Sequence, residues 1–558
     1  MRNAFLILFV LVFSEAFAQM DTSGRVVDVT KWGAFPDDGK DDTKALRKAV
    51  DFCKKKPGST LYIPAGKYQL RDPHAVDLER KAMAGEFGEN PERTIFTPYY
   101  PYTKGLDLKG MKDVTILATG ATLLCEGWME PISMDSCKNV SLVGLTVDYK
   151  HKPFSMGEVT LVTENYFEVQ FTDLRQITQQ MPLTRMTFWE VSADRMYPEP
   201  IYFPKRELLG HNLVRFHHQI PAKLKGTIAS VNHSFHFRPA ILINRSQNIK
   251  LNSVTIHSQP GMGVVGFDSK DISLYRLSVV PAPGFYESTN TDATHFACCE
   301  GLLEFNQCTF KGQGDDATNV HGYYQTLVEA SANRAKLLVK AGTYTHTQEA
   351  DVPRVGDQME LVEVKTLKPV KTLTVLEAKH EGHQTFSEVV LSGDLPSNFS
   401  DYYLMNITKL PKLRFVNSTV YSHLARAVLV KTRDVLIDNN VFKNSTGTAI
   451  HVGAESAWHE GTHAKNVTIT NNFITGCGNG AGSQGKAAGI AVIIEAADTH
   501  SSFLHSNIRI ENNFIKGENN ECGIYIGNAR DVVLKNNRIL DCKNDYITHS
   551  TTDIIISK

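Results

Sequence analysis

Two acids stand side by side in "GQGDDATNVHG", residues 312–322, and a third, Asp292, sits in "ESTNTDATHF", 23 positions before Asp315. Carboxylates crowded together repel one another, so at least one of Asp292, Asp315 and Asp316 should hold its proton to a raised pH. One protonated and one ionised carboxylate are the equipment for splitting a glycosidic bond. A separation of about 5 Å gives retention, and roughly 6.5–9.5 Å leaves room for a water and gives inversion. Two other readings compete. Asp and Asn cap turns throughout this chain, and clustered carboxylates are hard oxygen ligands for calcium. Three acids at this interval, with a histidine beside them, favour chemistry. Asn290 and His321 flank the acids and are candidate substrate-binding residues. In "SAWHEG", Trp458 can stack on a sugar ring and Glu460 can accept hydrogen bonds from hydroxyls.

Elements that could bring such acids together are legible in a repeat. Asn or Asp, an aliphatic, any residue and an aliphatic recur as "NVSL" from Asn139, "NIKL" from Asn248, "DISL" from Asp271 and "DVLI" from Asp434. The phrase returns as "NVTI" from Asn466, "NIRI" from Asn507 and "DVVL" from Asp531, and "NNVF", "NNFI" or "NNRI" follows several of these. Short β-branched strands broken by Asn, Asp and Gly near a period of 23, as from 248 to 271, predict a parallel β-helix. Coils stack because none can bury its apolar face alone. Residues one coil apart then lie about 4.8 Å from each other, which makes Asp292 and Asp315 expected neighbours, with Asp316 in the same turn as Asp315. An open end exposes strand edges and core, and "DDTKALRKAVDFCKKK" from Asp41 supplies a lid. Its Ala45, Leu46, Ala49, Val50 and Cys53 share one helical face, with Asp41 or Asp42 as N-cap.

Two stretches lack the asparagine phrase and read as small antiparallel β-domains inserted into the solenoid. The expected organisation is a signal peptide over 1–18, β-helix with helical cap over 19–150, an insertion over 151–237 and catalytic coils over 238–322. A second insertion covers 323–410 and the C-terminal β-helix 411–558. Both insertions flank the acidic coils and are placed to wall the site. Arg2, the apolar run "AFLILFVLVF" and "AFA" before Gln19 read as an export signal too short to span a membrane. The expected location is periplasmic or extracellular, with no membrane span. Lys plus Arg number 59 against 60 for Asp plus Glu. That balance argues against nucleic acid, which demands a basic surface. Nine cysteines without a CxxC pair read as buried small side chains.

The opening "VTKWGAFPDDGKDDTKAL" is similar to that of the pectate-lyase-like β-helix superfamily, which implies an all-β, right-handed parallel β-helix. "NTD" followed a coil later by "GDD" resembles the polygalacturonases, whose three aspartates hydrolyse with inversion. The Arg-Ile-Lys signature that grips a uronate there is missing here, and His321 lies only five residues past Asp316. The fuller resemblance is to glycoside hydrolase family 110, the bacterial exo-acting α-1,3-galactosidases. It rests on the signal peptide, the cap, "NTDATHF", "GDDATNVHG" and two β-insertions. It implies an inverting enzyme without cofactor that removes a terminal α-1,3-linked galactose from blood group B-type glycans, branched or linear. The partner is then a terminal α-galactosyl oligosaccharide or glycoconjugate. Carried over, Asp292 looks like the general acid, and Asp315 or Asp316 activates water. A polygalacturonase-like glycosidase on another α-linked sugar, a lyase of the same fold and a non-catalytic carbohydrate-binding β-helix are the alternatives.

Three motifs mimic metal sites. "HEGTH", residues 459–463, has zinc-protease spacing, but Gly461 opposes the helix that zinc binding requires. "DDGKDD" lacks the bidentate glutamate of an EF-hand loop. His217, His218, His233 and His236 lack Cys or Asp partners and read as surface or packing residues. Chelator treatment is therefore expected to leave both turnover and melting temperature unchanged. Loss restored by zinc or calcium would reverse that reading.

Overall fold

The computed structural model describes residues 25–97, 100–172, 175–339, 351–381, 385–499 and 503–557. The expected signal peptide lies outside the described residues. The chain winds a right-handed parallel β-helix whose coils add three parallel ladders. In one ladder Ile132 pairs with Ile241, Ile241 with Val264, Val264 with Thr294, Thr294 with Thr318, Thr318 with Val428 and Val428 with Ile450. In the second, Val140, Ile249, Ile272, Leu303, Leu413, Val435, Val467 and Ile508 stack in order. The third runs through Val147, Ile256, Val279, Phe310, Val420, Phe442 and Ile474. The apolar side chains among these belong to one continuous core.

The repeated phrase has a backbone cause. Asn139, Asn248, Asp271, Asp434, Asn466, Asn507 and Asp531 all take left-handed φ values between 53° and 58°. Asn and Asp tolerate that region because their short polar side chains bond locally. Here they also bond between coils: Asn248 Nδ2 donates to Asn139 Oδ1 at 2.8 Å, and Asn507 Nδ2 to Asn466 Oδ1 at 2.9 Å. In the "NN" pairs the first asparagine takes the left-handed turn and the second points inward. Asn440 Nδ2 donates to Asn472 Oδ1 at 2.9 Å, and Asn472 Nδ2 to Asn513 Oδ1 at 2.9 Å, all three side chains being buried.

The helix Thr43–Lys54 covers the N-terminal end, burying Leu46, Ala49, Val50 and Cys53. Asp41 Oδ1 accepts from Thr43 N at 3.0 Å, while the Asp42 carboxylate turns away to Phe35 N and Gln69 N. An antiparallel sheet built from strands between Phe154 and Asn232 leaves the solenoid with its own core of Phe167, Phe188, Phe216 and Val231. A second antiparallel set, with Leu337, Met359, Leu361 and Leu404 at its centre, grows out of a single long strand, Thr318–Ser331. That strand begins in the β-helix and ends in the insertion, so the insertion is continuous with an acid-bearing coil.

Asn472 accepts from both Asn440 N and Nδ2 and donates to Ile437 O and Asn513. Asn472→Leu strands several buried polar groups at once, and a loss of about 2–4 kcal/mol in chemical denaturation is expected. Asn471→Gly, one residue earlier on the exposed left-handed turn, is expected to cost less than about 1 kcal/mol. Equal losses would remove the buried ladder as a stabilising element.

Candidate active site

The acids meet where two strands begin. Thr294–Ala297 pairs in parallel with the start of Thr318–Ser331, Thr294 opposite Thr318 and Ala297 opposite His321. The register continues backward through Ala293 N, which donates to Asp316 O at 3.0 Å. Asp292 therefore stacks on Asp316. The 23-residue interval had suggested Asp315 instead; this coil is one residue longer, and Asp315 leads into the stack from the adjacent turn position. Asp316 is in turn followed by Arg426 on the next coil, since Thr318 pairs with Val428.

Each acid has a distinct environment. Asp316 Oδ1 accepts from Arg426 N at 2.8 Å and Nε at 3.1 Å, and Oδ2 accepts from Arg426 Nη2 at 3.1 Å. Asp292 Oδ2 lies 2.7 Å from His295 Nδ1, and His295 Nε2 lies 2.7 Å from His321 Nε2. His321 Nδ1 faces the Gly322 carbonyl at 3.0 Å. A carbonyl only accepts, so His321 Nδ1 carries the hydrogen, and Nε2 accepts from His295 Nε2. Burial holds His321 neutral, with its pKa lowered to about 3. That leaves His295 Nδ1 facing the Asp292 carboxylate.

Asp315 has no such guanidinium clamp. Burial, then the Asp316 and Asp292 carboxylates, push its pKa up to about 8 against the weaker pull of Arg185 and Arg426. At neutral pH Asp315 is the acid that keeps its proton. One oxygen from each of the three acids lies within 4.8 Å of the others, closer than the roughly 6.5–9.5 Å separation considered for inversion.

Behind Asp316 runs a chain of alternating charge. Arg426 Nη1 donates to Glu455 Oε1 at 2.7 Å, and Lys431 Nζ bridges Glu455 and Glu460. Asn319 Nδ2 donates to Glu460 Oε2 at 3.0 Å. Despite burial, Lys431 and Arg426 hold Glu455 at a pKa of about 2.

A pocket of about 400 Å³ opens above the acids, lined among others by Asp292, His295, Asp315, Asp316, Arg426 and Glu455. The first insertion supplies Tyr202, Phe203, Phe235 and His236, and the N-terminal part supplies Asn90, Glu92 and Arg93. Trp458, 56% exposed, and Glu460 complete the wall. Among the described residues none from 323–410 lines the pocket, so the described part of the second insertion does not wall the site. It backs the wall instead: Tyr323 pairs with Glu460 and Gly322 with Gly461, and Tyr403 packs on His459.

Two expected substrate contacts are not on the pocket surface. Asn290 is fully buried, its Nδ2 on Ser234 O at 2.8 Å and its Oδ1 accepting from Asn232 Nδ2 at 3.1 Å. It ties the turn before Asp292 to the first insertion. His321 is likewise fully buried, one layer behind His295. Conversely, His236, read from sequence as a surface or packing residue, lines the pocket. Burial opposes its charge, but Glu92, at 3.0 Å, with Asp292 and Asp315 outweighs it and raises its pKa. His295 stood in "NTDATHF" three residues past Asp292 and was missed. Arg426, Glu455 and Lys431 carried no local signal, because Arg426 reaches Asp316 across 110 positions. In "HEGTH", Glu460–Gly461 is a short strand, and His463 meets Arg433 Nη2 at 3.2 Å. The Nε2–Nε2 contact of His295 and His321 is closer than tetrahedral zinc, with ~2.0–2.1 Å bonds, holds its nitrogens. It is a proton's distance.

Fold and site together define a right-handed β-helix protein with a carboxylate-floored pocket, and a family model agrees on the fold. A family model described as "Right handed beta helix region" matches residues 406–544. The chain is 27% identical over 528 residues to Alpha-1,3-galactosidase B of Bacteroides thetaiotaomicron, covering 88% of this chain and 82% of that one. It is 25% identical over 558 residues to Alpha-1,3-galactosidase A of Bacteroides fragilis, covering 95% and 89%. A hyperthermoactive exopolygalacturonase from Thermotoga maritima aligns with a TM-score of 0.44 at 11% identity, covering 96% of this chain and 92% of that chain. The resemblance to the α-1,3-galactosidases thus extends over most of the chain.

Asp315 also sets a pH dependence. Its folded pKa lies above the ordinary ~3.9, so the folded state binds the extra proton, and stability falls as pH rises from about 4 through 8. Asp315→Asn removes that penalty. The variant should melt higher than the parent at pH 8–9 and show a smaller advantage near pH 4. An Asp315→Asn protein that melts lower at pH 9 would show the acid to be stabilising.

Proposed function

We propose that this chain is an exo-acting, inverting glycoside hydrolase that removes terminal α-1,3-linked galactose from blood group B-type glycans, exported by its N-terminal signal. The observation that carries the chemistry is the asymmetry of the three acids. Asp315 is pushed up to about 8, which suits it to protonate the glycosidic oxygen. This reverses the role the resemblance gave Asp292. Asp292 and Asp316 stack on neighbouring coils, one oriented by His295 and the other by Arg426. A water between them attacks the anomeric carbon from the face opposite Asp315, and the two carboxylates take up the proton it releases. Asp316 is committed to three hydrogen bonds from Arg426, which makes it a poor covalent nucleophile and supports inversion despite the close spacing.

The pocket supports attack at a chain end. Its volume, about 400 Å³, sits at the small end of the ~300–1,000 Å³ of ligand sites. Walls from the first insertion and from the Trp458 loop stand where a polymer groove would run open. Trp458 offers a ring face to the apolar side of a galactose. A uronate is disfavoured: acids outnumber cations on the lining, and Arg426 is already paired to Asp316 and Glu455. The α-1,3-galactosidase names of the relatives supply the sugar and linkage.

Asp292→Asn, Asp315→Asn and Asp316→Asn should each lower turnover of a B-type trisaccharide about 10²- to 10⁴-fold while the protein stays folded. Full activity in all three would remove these acids from the chemistry, and no turnover by the parent would leave the non-catalytic binding protein as the reading. In the parent, kcat/KM should fall as pH rises through about 8, where Asp315 loses its proton. Proton NMR of the first product should show β-galactose as single units. Initial α-galactose would mean a double displacement, and early oligosaccharides an endo-acting enzyme.

A further inference from the structure

Phe203 sits in a conformation that a phenylalanine avoids. Its φ is 48°, in the left-handed region, and its ring is 40% exposed. Backbone strain at a bulky residue is retained where it places a side chain that matters. Phe203 N is fixed to Thr184 O at 3.0 Å, so the turn is built and not frayed. The ring stands between two cavities. On one side is the pocket of the acids; on the other is a groove of about 330 Å³ lined by Glu89, Gln179, Gln180, Leu183 and Lys205, and Phe203 lines both. Phe235 meets Tyr202 at 5.9 Å and Phe203 at 5.7 Å, making an aromatic ridge.

A pocket that takes a chain end has one way out, so whatever binds outside it lies on the leaving-group side. The acid that protonates the leaving oxygen faces the same way. Arg185, which lowers the Asp315 pKa, packs over the Phe235 ring at 5.7 Å, and Asp315 in turn opposes ionisation of Tyr202. Asp316, beside it, is held instead by Arg426, which is itself paired to Glu455. The departing glycan therefore leaves across the aromatic ridge. We propose that the groove beyond Phe203 is a leaving-group subsite, in which the sugars that carried the galactose stack on Phe203 and bond to Gln179, Gln180 and Lys205. The galactosidase reading above supplies the substrate for this subsite. The enzyme then selects an oligosaccharide over a simple aryl galactoside.

Phe203→Gly removes the ring and relieves the positive φ, so melting temperature should hold or rise. The ratio of kcat/KM for a B-type tetrasaccharide to that for nitrophenyl α-galactoside should fall about tenfold, the scale of one lost aromatic stack. Lys205→Ala should shift the same ratio in the same direction. An unchanged ratio in Phe203→Gly overturns the subsite. A binding arm separates this from the function it rests on. The same oligosaccharide without its terminal galactose, titrated by saturation-transfer NMR, should bind the parent and bind Phe203→Gly about tenfold more weakly. No binding to the parent overturns the subsite. Binding as expected in a protein that releases no galactose upholds the subsite and sinks the hydrolase.

Discussion

Parallel stacking at ~4.8 Å per coil is the constraint from which the site follows. A residue at one position of a coil meets the residue at the same position of the next. Asp292, Asp316 and Arg426 occupy one such position on three successive coils. Two like charges are thereby forced together and a cation is placed beside the second. The next positions along the strands stack His295 on Asn319 and Ala297 on His321. The imidazole that orients Asp292 and the amide that orients Glu460 thus come from the same geometric rule. The left-handed Asn and Asp turns matter for the same reason. By turning the chain at a fixed place on every coil, they keep the columns aligned over the length of the solenoid.

Such a column is expensive to bury. Three acids within 4.8 Å are tolerated because one stays protonated and the others have dedicated partners. The chain from Asp316 through Arg426, Glu455 and Lys431 to Glu460 alternates in sign, and Lys431 is fully buried between its two glutamates. Removing one member of such a buried pair leaves an uncompensated charge, which costs about 3–5 kcal/mol. That chain also links the two walls mechanically. The strand bearing Glu460 belongs to the Trp458 loop, so the exposed ring on the pocket wall and the guanidinium that holds Asp316 share one network.

The solenoid was legible because its cause is local. A left-handed turn needs Asn, Asp or Gly, and alternate aliphatics after it need a core, so each coil prints the same phrase. The acids were legible as a set because they lie on consecutive coils with no insertion between them. Their pairing was misread by one residue, since a coil of 24 residues, as from Thr294 to Thr318, looks like one of 23 until the register is known. Arg426, Glu455 and Lys431 were illegible for a different reason. The second insertion separates Thr318 from Val428 in sequence although they are neighbours in the ladder. Asn290 misled because proximity to Asp292 in sequence does not say which way a side chain points. Its amide completes the seam between insertion and helix.

The two insertions also turn out to do different work, and the difference follows from how each leaves the solenoid. The first departs after Tyr149 and returns before Ile241, and its loops fold over the coils above, carrying Tyr202, Phe203 and Phe235 to the pocket. The second departs along the strand that carries Thr318 and His321, so its sheet extends away from the acids in the strand direction. Its described residues do not line the pocket, but it passes beside the Trp458 loop and pairs with it through Tyr323 and Glu460. A β-helix alone presents a groove along its coils. Here one insertion roofs that groove and the other backs the loop facing it, and the acids are left at the bottom of a pocket of about 400 Å³.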